Sequence, residues 1–249
     1  MHLQNVVLGV FIISLGFFTP VTRQDEFPNY KLYFSGYTWE VDSYSVPAQT
    51  PPTQDTLWPQ NIFVDSQGRL HLTISYKDGK WWSTEAVNTQ NLGYGTYVFH
   101  LDSRVDLLDP SAVLATFIWN KNPSSGKQEE IDIEYSSWGT PNNPTNSQFA
   151  VQPTTSPGNV IGFNTSLTSN RTTQTIVWRP TYIFFRSEDE SGREIKSWLY
   201  TGEDIPAPDG EQVVISYWVY PYGQITNPSE FIIESFEFFP HSSSETPIP

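Results

Sequence analysis

The segment GKQEEIDIEYSSWG, Gly126 to Gly139, carries four carboxylates within six residues: Glu129, Glu130, Asp132 and Glu134. In an extended chain successive side chains point to opposite faces. Ile131, Ile133 and Tyr135 then turn to one side, as core residues do, and Glu130, Asp132 and Glu134 turn to the other. Three acids in a row repel one another, and burial strengthens the repulsion. The plainest reading of alternating charge is a solvated outer face. Two features oppose it. Lys127 is the nearest cation in the chain, and large aromatics flank the segment, Trp119 before it and Tyr135 and Trp138 within it. Aromatic ring faces pack on the C–H groups of a pyranose, and carboxylates bond its hydroxyls, so acids among aromatics suit a sugar.

The segment sits among others of the same period. RLHLTISY, residues 69–76, alternates with Leu70, Leu72, Ile74 and Tyr76 on one face and Arg69, His71, Thr73 and Ser75 on the other. It follows NIFVDSQG, so Ser66-Gln67-Gly68 reads as a hairpin turn. GTYVFHL, AVLATFIW, SQFAVQ, TQTIVWRP, TYIFFR, EIKSWLY, QVVISYWVY and EFIIESFEFF continue the series. About a dozen short strands at this spacing, with no helix-period segment and no internal repeat, predict an all-β chain. One flat sheet cannot hold them all, so two stacked antiparallel sheets are expected. Of Trp81 and Trp82, one is expected in the core and one outside.

The 249-residue chain has 9 Trp, 13 Tyr, 16 Phe and 20 Pro, a composition that favours strands joined by turns. Its net charge of −14, without a Lys/Arg cluster, argues against a nucleic-acid partner. There is no Cys, which excludes thiol catalysis and Cys-ligated zinc. Val6 to Phe18 is an apolar run too short for a comfortable membrane span and reads as a secretory leader. The expected organisation is a signal peptide over residues 1–22, one sandwich domain over 23–240 and a disordered tail over 241–249. The mature protein is expected to be extracellular, free of membrane and monomeric. Asn164-Thr165-Ser166 and Asn170-Arg171-Thr172 are N-glycosylation sequons. No Gly-x-Ser-x-Gly elbow or His-Glu-x-x-His motif occurs, and four His leave little material for a Ser-His-Asp site.

EEIDIEYSSWG resembles the active-site signature of family 16 glycoside hydrolases, whose unbulged pattern is Glu-x-Asp-x-Glu. YGTYVFHL and VLATFIW resemble the family's preceding strands, TIVWRPTYIFFR its Trp-x-Pro hairpin, VVISYW the strand ending in a cleft tryptophan, and IIESFEFF the closing strand. The resemblance covers nearly all of the chain after the leader. It implies a concanavalin-like jelly roll and a secreted retaining endo-β-glycosidase acting on a polysaccharide, a β-1,3- or β-1,3-1,4-glucan first. It further implies Glu130 as nucleophile, Glu134 as general acid/base and Asp132 as the group that holds their protonation states apart. Trp119, Trp218, Trp138 and Glu85 would contact substrate. No cofactor is implied. A structural Ca²⁺ on the outer face, near Glu234 and the backbone at Gly68, belongs to the same resemblance.

The chain departs from the pattern at three places. Val87 stands where an Arg is usual, Thr172 and Gln174 stand where His and Tyr are usual, and Ser216 replaces an Asn. These departures keep a non-catalytic lectin-like binder open, and capture of the covalent intermediate by sugar instead of water keeps open a transglycosylase on the same site. Geometry adds a demand. At about 3.3 Å per residue the Glu130 and Glu134 α-carbons lie about 13 Å apart. A retaining pair needs carboxyls about 5–5.5 Å apart, so the strand must curve.

Overall fold

The structure is a computed structural model and describes residues 30–42, 56–220 and 225–242. Sixteen strands run through these residues. They are β1 (Tyr30–Phe34), β2 (Tyr37–Val41), β3 (Thr56–Leu57), β4 (Ile62–Val64), β5 (Leu70–Lys77), β6 (Lys80–Asn91), β7 (Gly95–Asp102) and β8 (Ala112–Asn120). After these come β9 (Glu129–Tyr135), β10 (Ser147–Val151), β11 (Val160–Phe163), β12 (Arg171–Arg179), β13 (Tyr182–Asp189), β14 (Glu194–Tyr200), β15 (Gln212–Val219) and β16 (Ser229–Pro240). Among the described residues the helical segments are two three-residue 3₁₀ turns.

The first sheet runs β11-β10-β9-β8-β15-β6, with β2 and then β1 beyond β6. The second runs β4-β5-β16-β7-β12-β13-β14. All pairs are antiparallel except the short β3, which lies parallel to β6. The far half of β5 crosses over to pair with β6, joining the two sheets. That hairpin turns on Asp78 and Gly79, both at positive φ (54° and 80°), the mirror-image geometry that matches strand twist. Ser35-Gly36 makes the same turn between β1 and β2.

The core lies between the sheets. Ile131, Ile133 and Tyr135 enter it from β9 and are shielded from solvent, as the alternation predicts. Phe149 of the first sheet stacks on Phe185 of the second at 5.2 Å between ring centres, and Phe185 stacks in turn on Trp198. Trp39 meets Phe236 edge-on at 5.7 Å. The two-layer all-β architecture is therefore the expected one.

Several local expectations need correction or extension. Leu70, Leu72 and Ile74 are buried, but Tyr76 is 57% exposed. It lies past the point where β5 leaves the second sheet, and it rests on Trp81 instead. His71, on the face opposite the leucines, is also buried, with Asp65 at 3.1 Å, Glu230 at 2.9 Å and Phe63 stacked on its ring. Trp82 is buried, and Trp81 is partly buried against the core rather than outside it. The leader and residues 243–249 of the tail lie outside the described residues. His241 still bonds Tyr94 O through its backbone N–H.

Candidate active site

On the face of the first sheet turned away from the core, strand pairing sets side chains in ranks that cross the strands. Glu134 lies opposite Gln148 on β10 and Ala115 on β8. Ala115 lies opposite Ser216 on β15, and Ser216 opposite Glu85 on β6. One rank therefore reads Gln148, Glu134, Ala115, Ser216, Glu85. The next reads Ala150, Asp132, Phe117, Val214, Val87. In a third, Glu130 faces Trp119, which faces Gln212.

This face is recessed. Ala115, Phe117, Val214, Ser216, Trp218 and Asp132 all point away from the core, yet each is buried. Phe117, Ala115 and Val214 pack together, with Val87 and Trp119 against them. The first rank has small residues between two acids: Ala115 and Ser216 separate Glu134 from Glu85. At about 4.8 Å per strand, that trough spans about 14 Å. Trp119 stands by Glu130. Trp218 lies beyond Ser216, opposite Val113, at the Glu134 end. Tyr220 contacts both Trp218 (6.4 Å) and Trp138 (5.9 Å), so three rings gather there. All seven expected site residues thus belong to this face or its rim.

Burial dominates the electrostatics. It raises the carboxyl pKa of Glu134 to about 7, against a 2.6 Å hydrogen bond from Gln148 Nε2 that lowers it. Glu130 lies near enough for its charge to raise that value further. Burial also raises Glu85 to about 7, helped by Asp42 and opposed by a hydrogen bond from Ser216. Asp132 is pushed well above the usual carboxylate range by burial and by its two acidic neighbours. Glu130 is raised by burial too, but hydrogen bonds from Asp132 and Gln128 hold it down. Two carboxyls that share a hydrogen bond need a proton on one of them. Burial raises both of them, Asp132 the more strongly.

Gln148, Gln152 and Lys121 were not anticipated. The two glutamines sit on the β10 side, Gln152 directing its Nε2 at Asp132 Oδ2 (3.5 Å). SQFAVQ does alternate, which places them on one face, but their partners follow only from the pairing register. Lys121 is the cation whose charge reaches Glu85. Thr172 and Gln174 are buried on the core side of β12, in the other sheet. Their departure from the family pattern therefore does not alter this face.

The residues implied for Ca²⁺ are Glu234 and the backbone at Gly68. Glu234 faces Arg171 at 3.6 Å, and the carboxylate at the Gly68 turn, Asp65, is taken by Arg69 and His71. Among the described residues no three acidic or His side chains gather as a metal site. Two cavities, of about 300 and 250 Å³, lie by His100 and Arg171 and by Tyr30 and Phe63, away from Glu130, Asp132 and Glu134.

The sequence matches no protein-family model and no curated protein. Solved structures do match. A β-glucanase of Bacillus licheniformis superposes with a TM-score of 0.66 at 17% identity, over 85% of this chain and 95% of that one. A β-1,3-1,4-glucanase (lichenase) from a mouse hindgut metagenome gives 0.64 at 17%, over 84% and 96%. A pseudo β-1,3-glucanase and immunostimulatory antigen of Mycobacterium tuberculosis gives 0.63 at 17%, over 82% and 91%. This chain has the β-glucanase fold. At such identity the fold is what is shared, a jelly roll spanning nearly the whole length of each relative.

Proposed function

We propose that the protein is a secreted endo-β-glucanase that cleaves internal β-1,3 or β-1,3-1,4 linkages with retention of configuration. The observation that carries this reading is the row of Glu130, Asp132 and Glu134 on a recessed face, where burial raises all three carboxyls. Paired carboxyls whose pKa values are pushed apart are what acid/base chemistry at a glycosidic bond requires. The β-glucanase fold, and the glucan-active proteins that share it, support the substrate class.

Glu130, ionised, attacks the anomeric carbon as the bond to the leaving sugar oxygen breaks. Glu134, with its carboxyl near 7, gives that oxygen its proton. The resulting glycosyl ester on Glu130 is then opened by water, whose proton passes to the Glu134 carboxylate. Asp132 donates to Glu130 and so favours its charged form between turnovers. The trough over Ala115 and Ser216 gives the chain a path across the strands. Trp119 on one side and Trp218 with Trp138 on the other offer ring faces, and Glu85 offers a hydroxyl partner at the far end.

Reducing-sugar release on β-1,3-, β-1,3-1,4- and β-1,4-glucans and on galactans, beside Glu130→Gln, tests the reading. Activity on a β-1,3- or mixed-linkage glucan, lost in the variant, supports it. One relative in fold is a pseudo-glucanase, which keeps a second reading in view. Binding of a glycan without turnover, equal in wild type and variant, would make the protein a lectin-like binder. Longer products without net reducing ends would make it a transglycosylase.

A further inference from the structure

Just past the end of β9, residues 137–140 fold as a turn that Trp138 fits poorly. Thr140 N–H donates to Ser137 O at 2.9 Å, and the two central residues, Trp138 and Gly139, both have positive φ (52° and 72°). That geometry favours Asn-Gly or Gly-Gly, and a bulky side chain at positive φ is strained. Such a conformation persists only where its surroundings over-determine it. Here they do. Ser136 is buried, and its Oγ accepts the Trp138 N–H at 2.9 Å. Ser137 O accepts a second bond, from Asn143 Nδ2 at 3.3 Å. Gly139 N–H donates to Pro110 O at 2.8 Å, and the next carbonyl, Ser111 O, accepts the Tyr220 N–H at 2.7 Å. Pro110 and Ser111 thus tie the end of β9 to the end of β15, and the Trp138 and Tyr220 rings meet edge-on at 5.9 Å. Tyr220 in turn meets Trp218. Trp218 is buried, whereas Trp138 and Tyr220 are only partly so.

We propose that this turn is a positioning device for a sugar shelf: Ser136 and the carbonyls of Pro110 and Ser111 hold the Trp138 indole against Tyr220, and the two rings extend the trough past Trp218 by one more sugar of the glucan. The backbone shape of the turn would suit Asn better than Trp, so the strain serves the ring and not the fold. Trp138 and Tyr220 are specificity-determining residues that touch the sugar chain, and Ser136 acts through Trp138. The identity of that chain rests on the glucanase reading.

Three variants test it, with laminarin and a mixed-linkage β-glucan as probes. Trp138→Asn removes the ring and suits the turn. KM should rise about ten-fold with kcat held within about two-fold, while Tm stays level or rises. Tyr220→Leu should raise KM in the same sense. Ser136→Ala keeps both rings and frees the turn, so KM should rise about three-fold, and in the Trp138→Asn background it should add nothing further. Calorimetric binding of the same glucans, with each change placed on Glu130→Gln, reads the shelf without turnover. If Trp138→Asn lowers Tm by more than about 5 °C and leaves KM and glucan affinity unchanged, the ring is a packing residue and the proposal is overturned. A Ser136→Ala effect that persists undiminished without the indole overturns it as well. A wild type that cleaves no glucan would sink the glucanase reading, and the binding lost or kept in Trp138→Asn would then decide this one.

Discussion

Gln148 and Glu134 face each other across the β9–β10 pair, joined by a 2.6 Å hydrogen bond from Nε2 to Oε2. The bond favours the ionised form of a carboxyl that burial raises to about 7. Gln148→Leu should therefore let the Glu134 pKa rise further. The alkaline limb of kcat is expected to move up by about one pH unit, while the acid limb stays. A pH-rate profile checks this, and a downward shift would assign the limb to another group.

Glu134 as proton donor matters most when the leaving group is poor. Glu134→Gln should lower kcat on a glucan by about 10²–10⁴-fold. A β-glucoside with a nitrophenol leaving group needs no protonation, so its first step should survive. Burst kinetics on that substrate would show fast nitrophenol release and slow turnover. Equal loss on both substrates would contradict the role.

Glu85 carries a cost in stability. Its carboxyl titrates at about 7 in the folded protein, against 4.5 for an unperturbed Glu. Between those values the folded state binds more protons than the unfolded state. Stability from this group is thus lost as pH rises from 4.5 through 7. Glu85→Gln should stabilise the protein by about 1–3 kcal/mol at pH 8 and leave it unchanged near pH 4. Urea unfolding at the two pH values is the check, and an equal effect at both would exclude ionisation as the cause.

Phe185 joins the two sheets by stacking on Phe149 and Trp198. Phe185→Ala should cost about 3–5 kcal/mol of stability, through lost burial and the cavity left behind. Thermal unfolding reads this directly. A loss below about 1 kcal/mol would mean the sheets repack around the gap.

The face chemistry was legible because a strand has period two: Ile131, Ile133 and Tyr135 could only go to one side and the three acids to the other. Neighbouring partners were not legible. Which glutamine meets which acid depends on the β9–β10 register, and no local pattern in the connecting residues 136–146 states it. The place of Thr172 was not legible for a related reason. Alternation says which face of a strand a residue occupies but not which of two sheets holds that strand. β1, β2, β3 and β11, each of five residues or fewer, went unread as strands. The Ser35-Gly36 turn was the signal for the first two. The burial of His71 was not legible either, because Asp65 and Glu230 close over it from both sides, a contact spanning 159 residues of sequence in the case of Glu230.

Trapping the glycosyl ester tests the central claim most directly. A 2-deoxy-2-fluoro β-laminaribioside with an activated leaving group slows both steps, and the second more, so the intermediate accumulates. Intact mass followed by peptide mapping should find one sugar adduct, on Glu130. An adduct on another residue, or hydrolysis of the glucan with inversion and no adduct, would contradict the account.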